Sequence, residues 1–361
     1  MKKMLLFFIL AFSSAVFAQK KPSYNIVAYY TGSSERLQHY PLEKLTHLIY
    51  SFVKLRHDTL LLRDSKQEQN VRQIVALKKK YPQLKIMVSI GGWGGCASCS
   101  DLFADANHRK TFAKTTVALL KKYNLDGLDL DWEYPAIEGF PGHTYTKADR
   151  DNFTALVSVL RNEMGNSYLL TFAAGGFLTY LEESVDWANV HPFVDFINLM
   201  TYDLVGGYAI VTGHHTPLYS YRKNQESTDK CVSWLVKHKV PAHKLITGAA
   251  IYGRVWEKVS AINNGLYQSG IFKQGVSFAN FDTYFSDSSG FHYFWDKKAK
   301  AAYQYNPSKQ LFATFDNEKS ITAKAQYVKR RKLGGIMFWE LSDDKPKNGL
   351  LEQMWKVLGS K

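Results

Sequence analysis

The stretch Asp126-Gly-Leu-Asp129-Leu-Asp131-Trp-Glu133-Tyr-Pro135 spaces three carboxylates two residues apart. Positions two apart share a face of a β-strand, so Asp129, Asp131 and Glu133 point one way while Leu128, Leu130 and Trp132 point the other. Three acids on successive pleats repel and desolvate one another, and at least one must keep its proton near neutral pH. That raises the pKa of the terminal acid toward a value suited to proton donation in catalysis. An edge strand with one wet face or a divalent-metal site would space acids similarly. Stacked acids are avoided in purely stabilising cores, however, and no obvious histidine ligands lie beside these.

Other groups are informative mainly in combination. Ser89-Ile-Gly91-Gly92-Trp93, Met200-Thr-Tyr202-Asp203, Tyr252-Gly-Arg254 and Trp339 each follow or end an apolar run. Alone, the glycines read as a tight turn, Tyr202 with Asp203 as an ordinary strand end, and either tryptophan as core. Cys96-Ala-Ser-Cys99 lacks the second ligand pair that zinc needs, which leaves a local disulfide or two free thiols. Cys231, Trp234, Leu235 and His238 share helical spacing and read as packing residues.

The elements that must hold these residues alternate. Apolar, β-branched or aromatic runs fall near 25–31, 46–53, 84–90, 125–133, 168–174, 194–202, 245–251 and 334–340. Between them lie amphipathic patterns such as 67–80, 107–123, 147–164 and 227–239, the last opened by Ser/Thr capping candidates. Eight strands alternating with helices predict an α/β fold, the (β/α)8 TIM barrel, with the site at the carboxyl ends of the strands. Residues 253–316 exceed what one crossover helix needs and are crowded with aromatics. A structureless loop of that length is improbable in a compact domain, so a small α+β insertion subdomain is expected there. The barrel is then 19–252 and 317–361.

With 361 residues, 45% hydrophobic and 22% charged, the chain is of ordinary globular composition, which excludes a disordered, collagenous or disulfide-scaffold protein. Its 14% aromatic content suits stacking on flat apolar faces such as sugar rings. Lys2 and Lys3 precede an apolar stretch from Met4 to Phe17 that is short for a membrane span and ends Val16-Phe-Ala18, the pattern of an export signal over 1–18. Periplasmic or extracellular residence, without stable membrane insertion, is expected. The net charge of +14 lies in short runs such as Lys78-Lys79-Lys80 and Lys329-Arg330-Arg331-Lys332 with no recognition motif, read as solvated outer faces rather than nucleic-acid binding.

The chain resembles glycoside hydrolase family 18, the chitinase family, whose fourth-strand signature DxxDxDxE is matched at Asp126, Asp129, Asp131 and Glu133. Ser89 to Gly92 resemble its SxGG motif, Met200 to Asp203 its MxYD motif, and 213–219 its loop after the sixth strand. The resemblance spans roughly 24–361. It implies a retaining hydrolase of β-1,4 N-acetylglucosamine linkages, in chitin or chito-oligosaccharides, with no metal or organic cofactor. Many glycosidases use two carboxyl groups. The seventh strand offers none, and Glu340 has opposite parity to Trp339, so both cannot face the axis. Family 18 instead uses the substrate's own acetamido group. By resemblance, Glu133 is the general acid. Asp131 orients the acetamido N–H, Asp129 shares a proton with Asp131, and Tyr202 donates to the acetamido oxygen. Tyr29, Gly92, Trp93, Met200, Asp203, Tyr252, Arg254 and Trp339 are substrate contacts. A monomer is expected, with no separate chitin-binding module after Trp339. Two alternatives are an endo-β-N-acetylglucosaminidase acting on N-glycans, whose relatives commonly lack the insertion, and a chitinase-like lectin, whose relatives typically lose the acid kept here as Glu133.

Overall fold

In a computed structural model, which describes residues 24–222 and 224–359, the chain closes a parallel barrel. The predicted export signal at 1–18 lies outside the described residues. In chain order the strands are β1 (Asn25–Tyr30), β2 (His47–Ser51), β3 (Lys54–Arg56), β4 (Thr59–Leu61), β5 (Lys85–Gly91), β6 (Gly127–Asp131), β7 (Leu169–Gly175) and β8 (Phe196–Met200). They continue with β9 (Leu245–Ala250), β10 (Tyr252–Glu257), β11 (Ile271–Ser277), β12 (His292–Asp296), β13 (Ala301–Asn306), β14 (Leu311–Phe315) and β15 (Gly335–Trp339). The barrel order is β1-β15-β9-β8-β7-β6-β5-β2, closed by parallel pairing of β1 with both β2 and β15. These are the eight runs read as strands, and the fold is a TIM barrel.

Helices stand where the apolar periodicity changes from two to 3.6, and side chains fix their starts. Asp64, Asp105 and Ser227 accept backbone N–H groups of Gln67, Asn107 and Lys230, opening helices Ser65–Ala76, Ala106–Tyr123 and Thr228–Lys237. Asn317 and Ser320 cap each other reciprocally at the start of helix Glu318–Arg331. Cys231 and Leu235 are buried as their spacing implied. His238 departs from that stripe: it is exposed and stacks on Trp234, centroids 3.6 Å apart, because the helix has ended before it. Cys96 and Cys99 form a local disulfide in the loop after β5.

Two apolar layers result from strand parity. Leu128, Leu130 and Trp132 join the layer between strands and helices, where Trp132 packs against Phe103 and Phe153. Val27, Ile49, Met87, Phe196, Ile246 and Met337 fill the barrel interior. A second, antiparallel sheet of order β11-β10-β14-β13-β12 spans residues 252–315, its helical part confined to single turns such as Phe281–Tyr284. It has its own cluster of Trp256, Leu266, Tyr305 and Phe312. Only Ile251 separates β10 from β9, so this sheet rises directly from the mouth of the barrel.

Candidate active site

At the carboxyl ends of the strands a cleft of about 770 Å³ is lined by Asp131, Glu133, Tyr202, Asp203 and Arg254 among others. Strand parity carries the acids there: Asp129 lies deepest in β6, Asp131 ends it, and Glu133 follows two residues beyond. Beside them β5 ends in Gly91 and Gly92, at φ of 101° and 79°. A Cβ on Gly91 would meet the Asp131 carbonyl oxygen at 2.0 Å, and one on Gly92 the Phe52 ring at 2.4 Å. The glycines therefore make a turn and also allow the backbone to press on the ladder, where the Gly92 N–H donates to the Asp131 carbonyl at 2.8 Å.

The three acids differ in what surrounds them. Asp129 is fully buried, and its two oxygens accept from Tyr29 Oη at 3.0 Å, Ser89 Oγ at 2.9 Å, Thr171 Oγ1 at 2.6 Å and Asn198 Nδ2 at 3.2 Å. Burial raises its pKa and these four donors oppose the rise. Asp131 has no such company: its Oδ1 is buried without a hydrogen-bond partner among the described residues. Burial, then the charges of Glu133 and Asp129, hold its pKa well above the usual carboxylate range. Glu133 is pushed up to about 7, chiefly by burial and further by Asp203, against a hydrogen bond with Tyr134. Burial and mutual repulsion therefore favour keeping a proton on the pair Asp131 and Glu133. The expected sharing of a proton between Asp129 and Asp131 has no hydrogen bond to carry it, since both Asp129 oxygens are occupied by donors from four other strands.

Asp203 is the opposite case. Burial alone would raise its pKa, but the Arg254 guanidinium, with the His215 ring 3.5 Å away, outweighs that and holds it ionised. Arg254 Nε and Nη2 reach its two oxygens at 2.7 and 2.6 Å, and Tyr252 Oη donates at 2.8 Å. Tyr252 and Arg254, expected just after the seventh barrel strand, stand on β10, the first strand of the second sheet. The ion pair therefore clamps the two sheets together at the cleft.

Aromatic groups form the rest of the lining. Trp339 is half-buried and lies nearly parallel to Phe52, centroids 5.7 Å apart. Trp93 is 47% exposed at the rim, 6.2 Å from Tyr134 and 6.2 Å from Tyr208. Gly92, Met200, Tyr202 and Tyr252 also line the cleft. Tyr29, expected as a substrate contact, does not: it is 1% exposed beneath Trp339, with its hydroxyl committed to Asp129. Glu340 turns away from the axis, as its parity required, and accepts from Thr31 N and Oγ1 at 3.0 and 2.8 Å. Among the described residues no cluster of three or more His, Cys, Asp or Glu side chains is placed to hold a metal ion.

Phe52, Tyr134, Phe177, Tyr208, Phe272 and Asp343 line the cleft without having been singled out in the sequence. Phe52, Tyr134, Phe177 and Asp343 lie within a few residues of a barrel strand's carboxyl end, where the rule for barrel active sites would have found them. Tyr208 and Phe272 come from a long loop and from the second sheet, and nothing local marks them.

The sequence profile described as Glycosyl hydrolases family 18 matches residues 25–344. Chitinase A1 of Niallia circulans is 35% identical over 302 residues, covering 77% of this chain. The chain spans only 43% of that protein's length. Among solved structures, chitinase ChiA74 from Bacillus thuringiensis superposes with a TM-score of 0.86 at 28% identity, over 93% of this chain and 69% of that one. A family 18 N-acetylglucosaminidase from Paenibacillus barengoltzii superposes with a TM-score of 0.82 at 34% identity, over 93% and 100% respectively.

Proposed function

Because this chain belongs to the glycosyl hydrolases of family 18, we propose that it is a chitinase, cleaving β-1,4 N-acetylglucosamine linkages with retention of configuration by substrate assistance. The observation that carries this reading is the pair Asp131 and Glu133: a general acid with its pKa raised to about 7, two residues from a buried acid that competes with it for a proton and whose Oδ1 has no partner among the described residues.

In the first step the acetamido oxygen of the −1 sugar attacks its own anomeric carbon. The glycosidic bond breaks and Glu133 transfers its proton to the leaving oxygen. Asp131, ionised while Glu133 carries the proton the two acids compete for, turns to accept the acetamido N–H, and its charge stabilises the oxazolinium ring as that ring forms. Tyr202 donates to the acetamido oxygen and Asp129 holds the base of the ladder in place. Water then opens the ring from the face the leaving group vacated, Glu133 takes back a proton, and the β configuration returns after two inversions. Asp203, fixed by Arg254 and Tyr252, positions the sugar; Trp339 and Phe52 form its apolar floor, and Trp93 and Tyr208 stack at the rim. Asp203 is held as an anion in an ion pair, so it does not serve as a second reacting carboxylate.

A fully deacetylated −1 sugar should bind without turnover, because an ammonium cannot form the ring. A thiazoline analogue of the ring should inhibit competitively, since a site complementary to that charged ring binds its mimic more tightly than substrate. Rapid cleavage at deacetylated positions, or an α-anomer as first product by proton NMR, would overturn the mechanism. A second reading, release of single N-acetylglucosamine units, is favoured by the likeness to the Paenibacillus N-acetylglucosaminidase. The product series from labelled oligosaccharides of increasing length separates the two. The reading extends to a monomer exported by the segment 1–18, acting in the periplasm or outside the cell.

A further inference from the structure

The net charge of +14 is not spread over the molecule. In this barrel every helix-to-strand connection lies at the amino-terminal ends of the strands, on the face opposite the cleft. The seven connections, 41–46, 77–85, 121–126, 161–168, 190–195, 237–244 and 329–334, together hold fifteen Lys and Arg against four Asp and Glu. Most of the chain's excess positive charge therefore sits on one face.

Within that face the cations are concentrated in two arcs. Connections 77–85 and 121–126 lead into the neighbouring strands β5 and β6, and 237–244 and 329–334 lead into the neighbours β9 and β15. In the barrel order these pairs are diametrically opposed, separated by β7 with β8 on one side and β1 with β2 on the other. The connections between the arcs are close to neutral. Favourable interaction with helix carboxyl ends accounts for cations in each last turn, for Lys332 at a helix cap and for Lys244, whose Nζ donates to the His191 and Val194 carbonyls. Lys85 pairs with Asp126, but none of this accounts for Lys239. Nor does it account for the contrast between the arcs and the neutral sectors. Lys79, Lys80, Lys121, Lys237, Lys239 and Lys329 are exposed, and none makes an ion pair among the described residues.

We propose that the face opposite the cleft is an electrostatic docking surface for an anionic lipid bilayer, which holds the barrel with its cleft turned away from the membrane. Two exposed cationic arcs on opposite sides of a barrel end are engaged together by a planar array of phosphate headgroups. Near-neutral connections separate them, so they form no continuous basic track of the kind that follows a nucleic-acid strand. Lysines near an anionic leaflet are attracted within a Debye length, about 10 Å at 0.1 M salt, so such docking is reversible and salt-sensitive.

The test is co-sedimentation of the full chain with vesicles of phosphatidylcholine containing about 30 mol% phosphatidylglycerol, against phosphatidylcholine alone and at low and high salt. The comparison protein carries Lys79, Lys80, Lys121, Lys237, Lys239 and Lys329 all changed to Gln. Both proteins keep the apolar segment 4–17, so the difference between them reports the lysines. The expected result is partitioning onto anionic vesicles that weakens with salt and falls at least about ten-fold in the variant. Equal partitioning of the two proteins would overturn the proposal and leave the cations as helix-end charges. Displacement from vesicles by stoichiometric duplex DNA would overturn it in favour of a polyanion. A final arm rests on the activity proposed above. Vesicle-bound protein should hydrolyse a soluble oligosaccharide at its free rate, and a bound, inactive protein would overturn the orientation while sedimentation still reports the docking.

Discussion

Asp131 and Asp316 are both almost entirely buried, at 3% and 1% exposure, and the molecule treats them in opposite ways. Asp316 ends the second sheet and is satisfied on every side. Lys324 Nζ lies 2.5 Å from its Oδ2, Ala250 N and Thr216 Oγ1 donate to the same oxygen, and Ser320 Oγ donates to the other at 2.6 Å. This centre ties helix Glu318–Arg331 to β9 and to the loop behind Tyr202. Asp131 has like-charged neighbours and an oxygen with no partner. Burial alone therefore does not make a reactive acid. Where a counter-charge and donors accompany the carboxylate the result is scaffold, and where they are withheld a proton stays bound and available. The ladder repeats this contrast within itself, since Asp129 has four donors and Asp131 has none through Oδ1.

The largest effect should come from removing the available proton. Glu133→Gln keeps the shape, and kcat should fall by about 10²–10⁴-fold with oligosaccharide binding retained. In the unsubstituted enzyme kcat should decline as pH rises through about 7. The folded carboxyl holds a proton that the unfolded one has already lost between its ordinary 4.5 and about 7. Stability therefore declines as pH rises through that window, and Glu133→Gln should flatten the decline. Turnover near the native rate in the purified variant would remove Glu133 from its role.

Next is the compensated centre. Lys324→Met leaves Asp316 as a buried unpaired carboxylate and should cost about 3–5 kcal/mol in urea unfolding, whereas Lys324→Met with Asp316→Leu should recover most of it. A cost below about 1 kcal/mol for the single change would mean that the pair does not compensate Asp316 and would break the comparison.

Inside the ladder, Asp131→Asn should reduce kcat strongly and reshape the pH–rate profile with little loss of stability. Asp129→Asn sets an amide among four donors and should instead cost about 1–3 kcal/mol of stability with a smaller catalytic effect. The groups titrate together, so the shape of the profile is the observable. The reverse assignment of effects would exchange the roles of the two acids. Trp93→Ala should weaken oligosaccharide binding by about 1–3 kcal/mol at unchanged melting temperature. Trp339→Ala should lower both, because its ring is packed on Phe52 and Tyr29 as well as facing the cleft. Smallest of all should be Asp343→Asn, within about threefold in kcat/KM, well short of a general acid's contribution. A loss on the scale of Glu133→Gln would make Asp343 the second carboxylate and end the case for substrate assistance.

The amino-acid sequence by itself determined whatever depends on local periodicity. Alternation at two residues settled which side chains of 127–133 face the axis and which face the helices, and it sent Glu340 away from the site. Alternation of strand and helix patterns settled the barrel, because parallel strands require crossovers and eight of them close. Ser227, which begins a helix by accepting a backbone N–H three residues on, is legible for the same reason. Tertiary structure alone decided which acid is compensated, because the donors to Asp129 come from β1, β5, β7 and β8, and their meeting depends on the register of a closed barrel. It moved Tyr29 from the cleft wall to the floor beneath it, brought Phe272 and Arg254 across from a second sheet, and set Tyr208 against Trp93. It also gathered lysines from distant connections onto one face. Strand parity is a property of neighbours in the chain, whereas burial, counter-charge and donor supply are properties of neighbours in space, and these set which buried acid keeps its proton.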